Sequence, residues 1–509
     1  MRNTKASQFF KKHFGTMLFF VTIAVAAFLR FYQLQELPPA LHPSEAVWVF
    51  QARQLVSGPG AFLAQLSAAS GAFLLSIGTF ASSLVVHDSL VALRALNAAL
   101  GVVAVIGLYW WAKDCFGRRP ALLSALVFAV SPWAITLSRN ILPLNVSIAL
   151  FVWLCFFATR AYRKGSFGYG VVSIVILVLG MMSSRLFWLV PVTFVVPLAY
   201  VLLKPQADGR KKRYILLSVF AALVVIAGLG ALIVAFGNPA QGMLSALSQN
   251  LANLQAGALF VLNGIGRTLA MFFVTGDDNY FVNLGGLPLL NTFFGLMLLL
   301  GAMVAIKYRA RLVYTFVLIS FAIMLVPAIV SPRAPDAYWA ALALPLCCLL
   351  VGIGINYLLT RWYSMFPVNT TARSLGLSFV ILLLVLSGYQ AYRQYFVAWA
   401  QDPSTRLAYR EDILEASRLL NQKDVVVVTS QQDQVALLAY RRSSEASVVN
   451  VSGLESLAVN NKPKVVVVLN SDNAEKIKQR VTAKYPGGSF STQQSSFDGR
   501  SLLYLYRLP

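Results

Sequence analysis

The chain has 509 residues, of which 58% are hydrophobic and 12% are charged, and its formal net charge is +23. A soluble domain is about 45–50% apolar and about 25% charged, so this composition excludes a soluble globular protein. Apolar runs of about 20 residues recur along most of the chain, and each is long enough to cross a bilayer as a helix. We therefore interpret the excess of Lys and Arg as loop charge of a polytopic membrane protein, and we expect no nucleic-acid partner.

The apolar runs predict eleven membrane-spanning helices with a cytoplasmic N-terminus. Basic residues concentrate in alternate connections, which the positive-inside rule places in the cytoplasm. The N-terminal segment is basic but has no small-residue cleavage site after it, so we expect the first helix to be retained. The predicted spans are residues 14–32, 90–111, 119–137, 144–161, 168–183, 186–203, 213–236, 288–306, 312–330, 337–359 and 374–396.

Two outer loops, residues 33–89 and 237–287, are long and carry apolar pieces that fit interfacial helices. We assign residues 1–396, with these loops, to a membrane domain. In residues 397–509 charges of both signs appear, and the pattern predicts a small α/β domain outside the membrane, with a structural or acceptor-docking role. Its expected strands are residues 425–429, 446–451, 464–469 and 501–506, and its expected helices are 411–420, 434–440 and 473–485.

Acidic residues are scarce in the membrane domain, and they mark the candidates for acid–base chemistry. The chain has 19 Asp and Glu residues, and Asp114 and Asp208 among them fall in basic cytoplasmic loops. Six others fall on outer connections, and none lies at the middle of a span, which counts against a proton-coupled transporter. The outer six are Glu36, Glu45, Asp88, Asp277, Asp278 and Asp336.

Arginines on the same outer face form a second set of candidates. A guanidinium group matches the oxygens of a phosphate, and a phosphate at the outer boundary of a membrane indicates a lipid phosphate. Each residue alone also fits a snorkelling or loop-pairing role. The set is Arg94, Arg139, Arg185, Arg267 and Arg333.

Short motifs follow one another in a particular order along the chain. They are Arg30-Phe-Tyr-Gln-Leu, Leu37-Pro-Pro, His42-Pro-Ser-Glu-Ala46, Arg94-Ala-Leu-Asn to Gly101, Phe116-Gly117, Ser131-Pro-Trp, Ser138-Arg139, and Tyr395-Phe with Trp399 and Pro403. Together they resemble the GT-C type of membrane glycosyltransferases, which use lipid-linked sugars. The branch they resemble includes protein O-mannosyltransferases and lipid A aminoarabinose transferases.

This resemblance implies a mechanism. A sugar on a polyprenyl phosphate enters from the outer leaflet, an acidic residue of the first outer loop activates the acceptor hydroxyl, and attack inverts the anomeric carbon. A base is needed because a hydroxyl is a poor nucleophile at neutral pH, and cations are needed because negative charge develops on the leaving phosphate. The implied acceptor is a lipid, glycan or protein outside a bacterial inner membrane.

The chain departs from the family pattern at the catalytic position. Relatives carry Asp followed by Glu in the first outer loop, whereas this chain has Ser44 at the Asp position and only Glu45 matches. Glu45 is the first candidate for the base. Asp88 or the pair Asp277 and Asp278 is the second. The third interpretation is that transfer is lost and the protein only binds a lipid-linked sugar.

The phosphate of the donor has five candidate ligands. Arg333 falls where relatives carry an Arg before the tenth helix, so we favour it together with Arg139. Arg94, Arg185 and His42 complete the donor-binding set, although a lone His beside a proline is more often a hydrogen-bonding loop residue.

A divalent cation is the one cofactor that the sequence suggests, and some relatives use one. The carboxylates of Asp277 and Asp278, with Asn279 beside them, are the oxygen ligands that hard cations prefer. The alternative is a turn that caps the following helix. The four cysteines have no metal-ligand spacing and predict no disulfide.

Three functions therefore remain open. The first is a membrane glycosyltransferase, and the second is a non-catalytic relative that binds a lipid-linked sugar. The third is a transporter or flippase for an amphipathic lipid, which predicts polar residues inside the spans or internal repeats.

Overall fold

A computed structural model of the chain describes residues 5–55, 75, 89–195, 254–419, 425–429, 431–440, 447–450, 464–469, 474–495 and 497–508. The predicted span 213–236 and the candidate Asp88 lie outside these residues. The chain divides into two compact units. One comprises Met1–Leu34 and Leu63–Val397, and the other comprises Gln35–Phe62 and Ala398–Pro509.

The first unit consists of helices. Among the described residues before 400, the α-helices in chain order include α1 (Lys5–Phe31), α2 (Pro43–Leu55), α3 (Ser89–Phe116), α4 (Arg118–Val130), α5 (Pro132–Arg139), α6 (Pro143–Lys164), α7 (Phe167–Met181), α8 (Leu254–Ala270), α9 (Thr292–Lys307), α10 (Leu312–Ile329), α11 (Leu344–Met365) and α12 (Thr370–Tyr392). All of them except α2 belong to the first unit. The described residues also include short 3₁₀ helices at Arg185–Leu189 and Ala341–Ala343, helical residues 190–195 directly after the first of these, and a π-helical turn at Arg393–Trp399.

Among the described residues, five helices are long and apolar enough to cross a membrane. The helices α4 and α5 meet at 59° and make a sixth candidate if they count as one span. Four further predicted spans coincide with shorter apolar helices, at Gly15–Phe31, Phe167–Met181, Arg185–Val195 and Thr292–Lys307. The chain therefore folds as a helical membrane protein, while the count of eleven spans stays a prediction.

The bend between α4 and α5 has a local cause. Pro132 is the first residue of α5 and has no amide hydrogen, so the carbonyl of Phe128 loses the donor that a continuous helix would supply. Ser131 begins the new helix, because its hydroxyl accepts a hydrogen bond from the Ala134 amide at 3.4 Å.

Glycines allow α9 and α11 to pack backbone against backbone. A Cβ atom on Gly301 would lie 1.9 Å from the carbonyl oxygen of Leu350, and one on Gly354 would lie 2.1 Å from that of Met297. Small residues permit this approach in membrane helices, where packing rather than water exclusion holds helices together.

The second unit contains the α/β domain. Its further described elements are, in chain order, α13 (Pro403–Ala408), α14 (Glu411–Leu419), β1 (Val425–Thr429), α15 (Gln431–Tyr440), β2 (Ser447–Asn450), β3 (Val465–Leu469), α16 (Ala474–Lys484), β4 (Ser489–Gln494) and β5 (Ser501–Arg507). The strand order is β2-β1-β3-β5-β4. The strand β1 pairs in parallel with β2 and β3, and β5 pairs antiparallel with β3 and β4.

Sequence patterns found four strands of this sheet and missed the exposed edge strand β4. The all-valine run of β1 is fully buried, as its apolar character indicates. The edge strand β4 has the sequence Ser-Phe-Ser-Thr-Gln-Gln and is mostly exposed, so it lacks the apolar signal that identified the other strands. The short helix α13 was also missed.

One segment lies in a different unit from the one we expected. The sequence placed the whole first outer loop with the membrane domain, whereas Gln35–Phe62 belongs to the second unit. Within that unit α2 packs against α15. Leu41, Ala46 and Val49 are buried, so this part of the loop contributes apolar side chains to the core of the C-terminal domain.

Candidate functional site

The predicted base, Glu45, is part of the N-terminal cap of α2. The amide of His42 donates to Glu45 Oε2 at 3.0 Å, and the amide of Ser44 donates to His42 Nδ1 at 3.2 Å. This is a capping box with histidine as the capping residue, Pro43 at the first helical position and glutamate at the third. We define His42–Glu45 as the α2 cap. In this cap Glu45 is fully buried, whereas Ser44 is exposed.

His42 is a neutral side chain in this cap. Burial lowers its pKa to about 4, so the imidazole carries no charge at neutral pH. Its ring also makes an edge contact with Tyr409, with the ring centroids 5.8 Å apart. The donor-binding role of His42 stays a prediction, since here the ring accepts the Ser44 amide and contacts Tyr409.

The structure brings several of the motif residues together around Arg30. This side chain is fully buried. Its Nη2 donates to the carbonyl of Phe128 at 3.2 Å, and its Nη1 donates to that of Ala129 at 3.1 Å. Phe128 is the residue whose carbonyl Pro132 leaves without a helical donor. A guanidinium group from α1 therefore replaces the missing amide at the bend between α4 and α5.

Arg139 donates hydrogen bonds to the main-chain carbonyls at the C-terminal end of α1. The side chain is fully buried, and its guanidinium lies about equally far from two rings of the π-helical turn, 5.1 Å from Tyr395 and 5.0 Å from Phe396. Its terminal nitrogens donate to the carbonyls of Leu29, Arg30, Tyr32 and Gln33 at 2.8–3.2 Å. Arg139 thus caps the C-terminus of α1.

Arg30 and Ser138 leave room only for a glycine at position 101. A Cβ atom on Gly101 would lie 2.7 Å from Arg30 Nε and 2.6 Å from Ser138 Cβ. We call Arg30, Gly101, Ser138 and Arg139 the arginine core. The sequence motifs contained all four residues. The predicted role of Arg139 as a phosphate ligand does not fit this environment, because its side chain is buried and its donors serve the main chain.

A buried amide cluster accompanies the arginine core, and sequence reasoning did not find it. Asn145 Nδ2 donates to Asn97 Oδ1 at 3.1 Å, and to the carbonyls of Leu137 and Asn140. Arg94, a predicted donor-binding residue, lies one turn before Asn97 on α3 and is 6% exposed. Single asparagines in apolar helices carry no sequence signal that distinguishes a shared cluster from isolated residues.

Asp277 connects two loops of the first unit. Its Oδ1 accepts the amide of Asn279 at 2.9 Å, and its Oδ2 accepts the amide of Ala337 at 2.8 Å. Burial raises the pKa of Asp277 to about 6, and the two backbone hydrogen bonds oppose this rise. The loop between α8 and α9 is thereby joined to the loop between α10 and α11.

The loop between α10 and α11 is held by a second carboxylate. Asp336 Oδ2 accepts the hydroxyl of Ser331 at 3.0 Å, and its Oδ1 accepts the amide of Tyr338 at 3.1 Å. Burial raises the pKa of Asp336, and the positive charge of the nearby Arg333 is among the influences that oppose this rise.

Three exposed arginines surround this same loop. Arg333 belongs to the loop, and Arg267 Nη1 donates to the carbonyl of Ala334 at 3.2 Å. Arg185 is close to Tyr338: burial raises the pKa of that tyrosine to about 12, and the charge of Arg185 opposes the rise. We call Arg185, Arg267 and Arg333 the outer arginine group.

The predicted metal ligands do not form a metal site in the described part of the chain. No group of three or more His, Cys, Asp or Glu side chains there is placed to hold one ion. Both carboxylate oxygens of Asp277 accept main-chain amides, which matches the alternative interpretation of this segment as a structural turn. A divalent cofactor therefore stays a prediction.

The architecture has known counterparts. Residues 71–230 match the family model described as dolichyl-phosphate-mannose-protein mannosyltransferase. The fold is similar to the archaeal oligosaccharyltransferase AglB from Archaeoglobus fulgidus in complex with an inhibitory peptide and a dolichol-phosphate. That match has a TM-score of 0.54 at 13% identity and covers 98% of this chain and 75% of AglB.

ArnT from Cupriavidus metallidurans is similar along nearly its whole length. The apo structure matches with a TM-score of 0.54 at 13% identity and covers 96% of this chain and 98% of ArnT. The structure of ArnT bound to undecaprenyl phosphate matches with a TM-score of 0.52 at 12% identity. The chain therefore shares the fold of AglB and ArnT. No curated protein sequence matches it significantly.

The described residues divide the predicted site between the two units. A helical membrane unit carries the arginine core and the outer arginine group, and the second unit combines α2 with the C-terminal sheet. Of the predicted site residues, Arg185 and Arg333 lie around one loop, Arg139 belongs to the arginine core, and Glu45 and His42 belong to the α2 cap.

Proposed function

We propose that the chain is a bacterial inner-membrane glycosyltransferase that moves a sugar from a polyprenyl phosphate to an acceptor outside the membrane. The observation that carries this proposal is the outer arginine group. Three exposed guanidinium groups around one outer loop suit a lipid phosphate, and ArnT, which has the same fold, binds undecaprenyl phosphate. The proposal includes eleven spans, a cytoplasmic N-terminus and an outer C-terminal domain.

The leaving phosphate is assigned to the outer arginine group rather than to the arginine core. Negative charge develops on the phosphate as the glycosidic bond breaks, and cations placed there lower the barrier. Arg185, Arg267 and Arg333 are exposed, so a ligand can reach them. Arg30 and Arg139 are fully buried and serve main-chain carbonyls.

The reaction is a single displacement. The acceptor hydroxyl oxygen forms a bond to the anomeric carbon, the bond from that carbon to the phosphate oxygen breaks, and the polyprenyl phosphate leaves with the electron pair. A base takes the hydroxyl proton, and attack opposite the leaving group inverts the configuration. We assign the base to Glu45, whose carboxylate the α2 cap orients, and we propose that acceptor binding gives the hydroxyl access to this buried group. Asp88 is the second candidate.

A non-catalytic function is the second candidate, and one observation favours it. Relatives place Asp at the position of Ser44, which is exposed, while Glu45 is buried and accepts a main-chain amide within the cap. A glutamate in this position stabilises a helix end whether or not it takes part in chemistry. The protein would then bind a lipid-linked sugar without transferring it.

Lipid mass spectrometry of cells separates these two functions. Cells that lack the protein should accumulate one polyprenyl-phosphate sugar, and cells with Glu45→Gln should accumulate the same lipid. Glutamine also accepts hydrogen bonds at the third helical position, so this variant keeps the cap and removes only the base. Arg333→Gln should accumulate the same lipid because it weakens donor binding.

The matched controls are Ser44→Ala and Arg309→Gln, an exposed arginine of the connection between α9 and α10. Both should leave the lipid pool as in the wild type. Accumulation on deletion but not in Glu45→Gln would assign Glu45 to the cap alone and make Asp88 the next base to test. An unchanged lipid pool in the deletion strain would favour the non-catalytic function.

A further inference from the structure

We propose that Tyr440 and Tyr409 of the C-terminal domain are positioning residues, which hold the α2 cap and thereby set the direction of the Glu45 carboxylate. The inference rests on the proposed function and goes beyond it, because it gives the α/β domain a task in the reaction. All of the residues involved lie in the second unit.

Tyr440 holds the chain directly before the cap. It is the last residue of α15, and its hydroxyl accepts the amide hydrogen of Leu41 at 2.5 Å. Leu41 immediately precedes His42, and its side chain is only 1% exposed. A shift of the Tyr440 hydroxyl therefore moves the first residue of the cap, while packing against α15 restrains the rest of α2.

Tyr409 contacts the α2 cap through the ring of His42. The Tyr409 ring is fully buried and meets the His42 ring edge to face at 5.8 Å. Trp399 contacts the Tyr409 ring as well, at 5.5 Å and nearly perpendicular. Because His42 Nδ1 accepts the Ser44 amide, the orientation of the imidazole determines the geometry of the cap.

Arg410 links the segment that carries Tyr409 to the helix that carries Tyr440. Its Nη1 lies 2.7 Å from Asp433 Oδ1 on α15, and its Nη2 lies 2.9 Å from Asp412 Oδ2 on α14. The residue after Tyr409 is thus tied by charge-assisted hydrogen bonds to the helix that ends in Tyr440. Arg410 has a φ of 52°, a conformation that residues other than glycine rarely adopt.

The cap transmits this support to the carboxylate. His42 donates its amide to Glu45 Oε2, so a displacement of Leu41 or of the His42 ring turns the acceptor oxygen as well. Displacing a catalytic group by about 1 Å can cost about 100-fold in rate. The proposed base therefore depends on two tyrosines that need make no contact with substrate.

The direct test uses hydrogen–deuterium exchange of the full-length protein in lipid nanodiscs. Tyr440→Phe removes only the hydroxyl that accepts the Leu41 amide, so peptides covering residues 40–46 should exchange faster by about tenfold, as expected for a lost hydrogen bond worth about 1.4 kcal/mol. The matched control is Tyr506→Phe. Its hydroxyl donates to the Tyr485 carbonyl and accepts the Gly488 amide within the same unit. Exchange of residues 40–46 should be unchanged in this control.

The kinetic constants kcat and KM distinguish a positioning role from a purely structural one. With the lipid extract of the deletion strain as donor, Tyr440→Phe should lower kcat about tenfold at an unchanged KM. Tyr506→Phe should keep the wild-type kcat even if its Tm falls. Unchanged exchange in Tyr440→Phe, or equal kcat losses in both variants, would overturn the inference. A wild-type protein that transfers no sugar would instead overturn the proposed function, while the exchange result would still decide whether Tyr440 positions the cap.

Discussion

At the level of single residues, the Arg30 side chain replaces a missing backbone hydrogen-bond donor. Pro132 leaves the Phe128 carbonyl without its helical partner inside an apolar unit, where an unsatisfied carbonyl is costly. The Arg30 guanidinium supplies that hydrogen bond from a neighbouring helix. Its burial thus has a structural explanation, although the motif that contains it resembles a glycosyltransferase signature.

A double-mutant cycle tests whether Arg30 replaces the hydrogen bond that Pro132 cannot donate. Arg30→Met should lower the free energy of unfolding by about 1–3 kcal/mol, because it leaves buried carbonyls unsatisfied. Pro132→Ala restores an amide beside the Phe128 carbonyl, so the double variant should lose clearly less than the sum of the two single variants. Thermal unfolding in detergent measures each change. Strict additivity would show that Arg30 and Pro132 do not share this carbonyl.

At the level of helices, contacts between backbones hold the first unit together. Gly301 and Gly354 let α9 and α11 approach until a Cβ atom would meet a carbonyl oxygen. A carbonyl within a helix has no other rotamer to adopt, so a larger residue must push the two helices apart. This packing explains why both helices contain glycine despite its low helix propensity.

Alanine at one of these glycines should separate the helices. We expect Gly301→Ala to lower the free energy of unfolding by about 1–3 kcal/mol, the usual cost of overpacking. Gly266→Ala on α8 is the matched control, since nothing lies within 4 Å of the added Cβ. It should stabilise the helix by up to about 1 kcal/mol through propensity alone. Chemical denaturation in mixed micelles compares the two, and an equal effect of both would contradict the packing argument.

At the level of the whole molecule, loop charge indicates orientation. Basic residues concentrate in alternate connections, and a polytopic protein retains such loops in the cytoplasm. The connection between α11 and α12 belongs to this basic set, while the C-terminal domain follows the last predicted span. The two should therefore lie on opposite sides of the membrane.

Cysteine labelling tests this orientation. Val368 between α11 and α12 is 88% exposed, and Leu407 on α13 is 60% exposed. In a Cys115→Ser background, a membrane-impermeant maleimide should label Leu407→Cys in spheroplasts and Val368→Cys only after permeabilisation. The remaining cysteines, Cys155, Cys347 and Cys348, are buried and should stay unlabelled. Protection of Leu407→Cys in intact spheroplasts would contradict the proposed topology.

Much of the fold could be predicted from the sequence, because apolar runs and their periodicity depend on neighbouring residues. The helices α6 and α10 and the valine-rich strands begin and end close to the expected residues, whereas α11, at Leu344–Met365, starts and ends later than the predicted span 337–359. Polar elements such as β4 carry no such signal. The positions of Arg185 and Arg333 outside the long α-helices also follow from local pattern, because the apolar runs are interrupted there.

The sequence by itself determined the membrane class, most helix positions, the order of the glycosyltransferase-like motifs and the absence of Asp at Ser44. Only the tertiary structure decided what the buried side chains do. Arg139 caps α1, Asp277 joins two loops, and Glu45 completes a cap held by the C-terminal domain. The physical reason is that apolar periodicity is a local property of the chain. The partner of a buried guanidinium or carboxylate, by contrast, comes from a distant segment that only folding brings near.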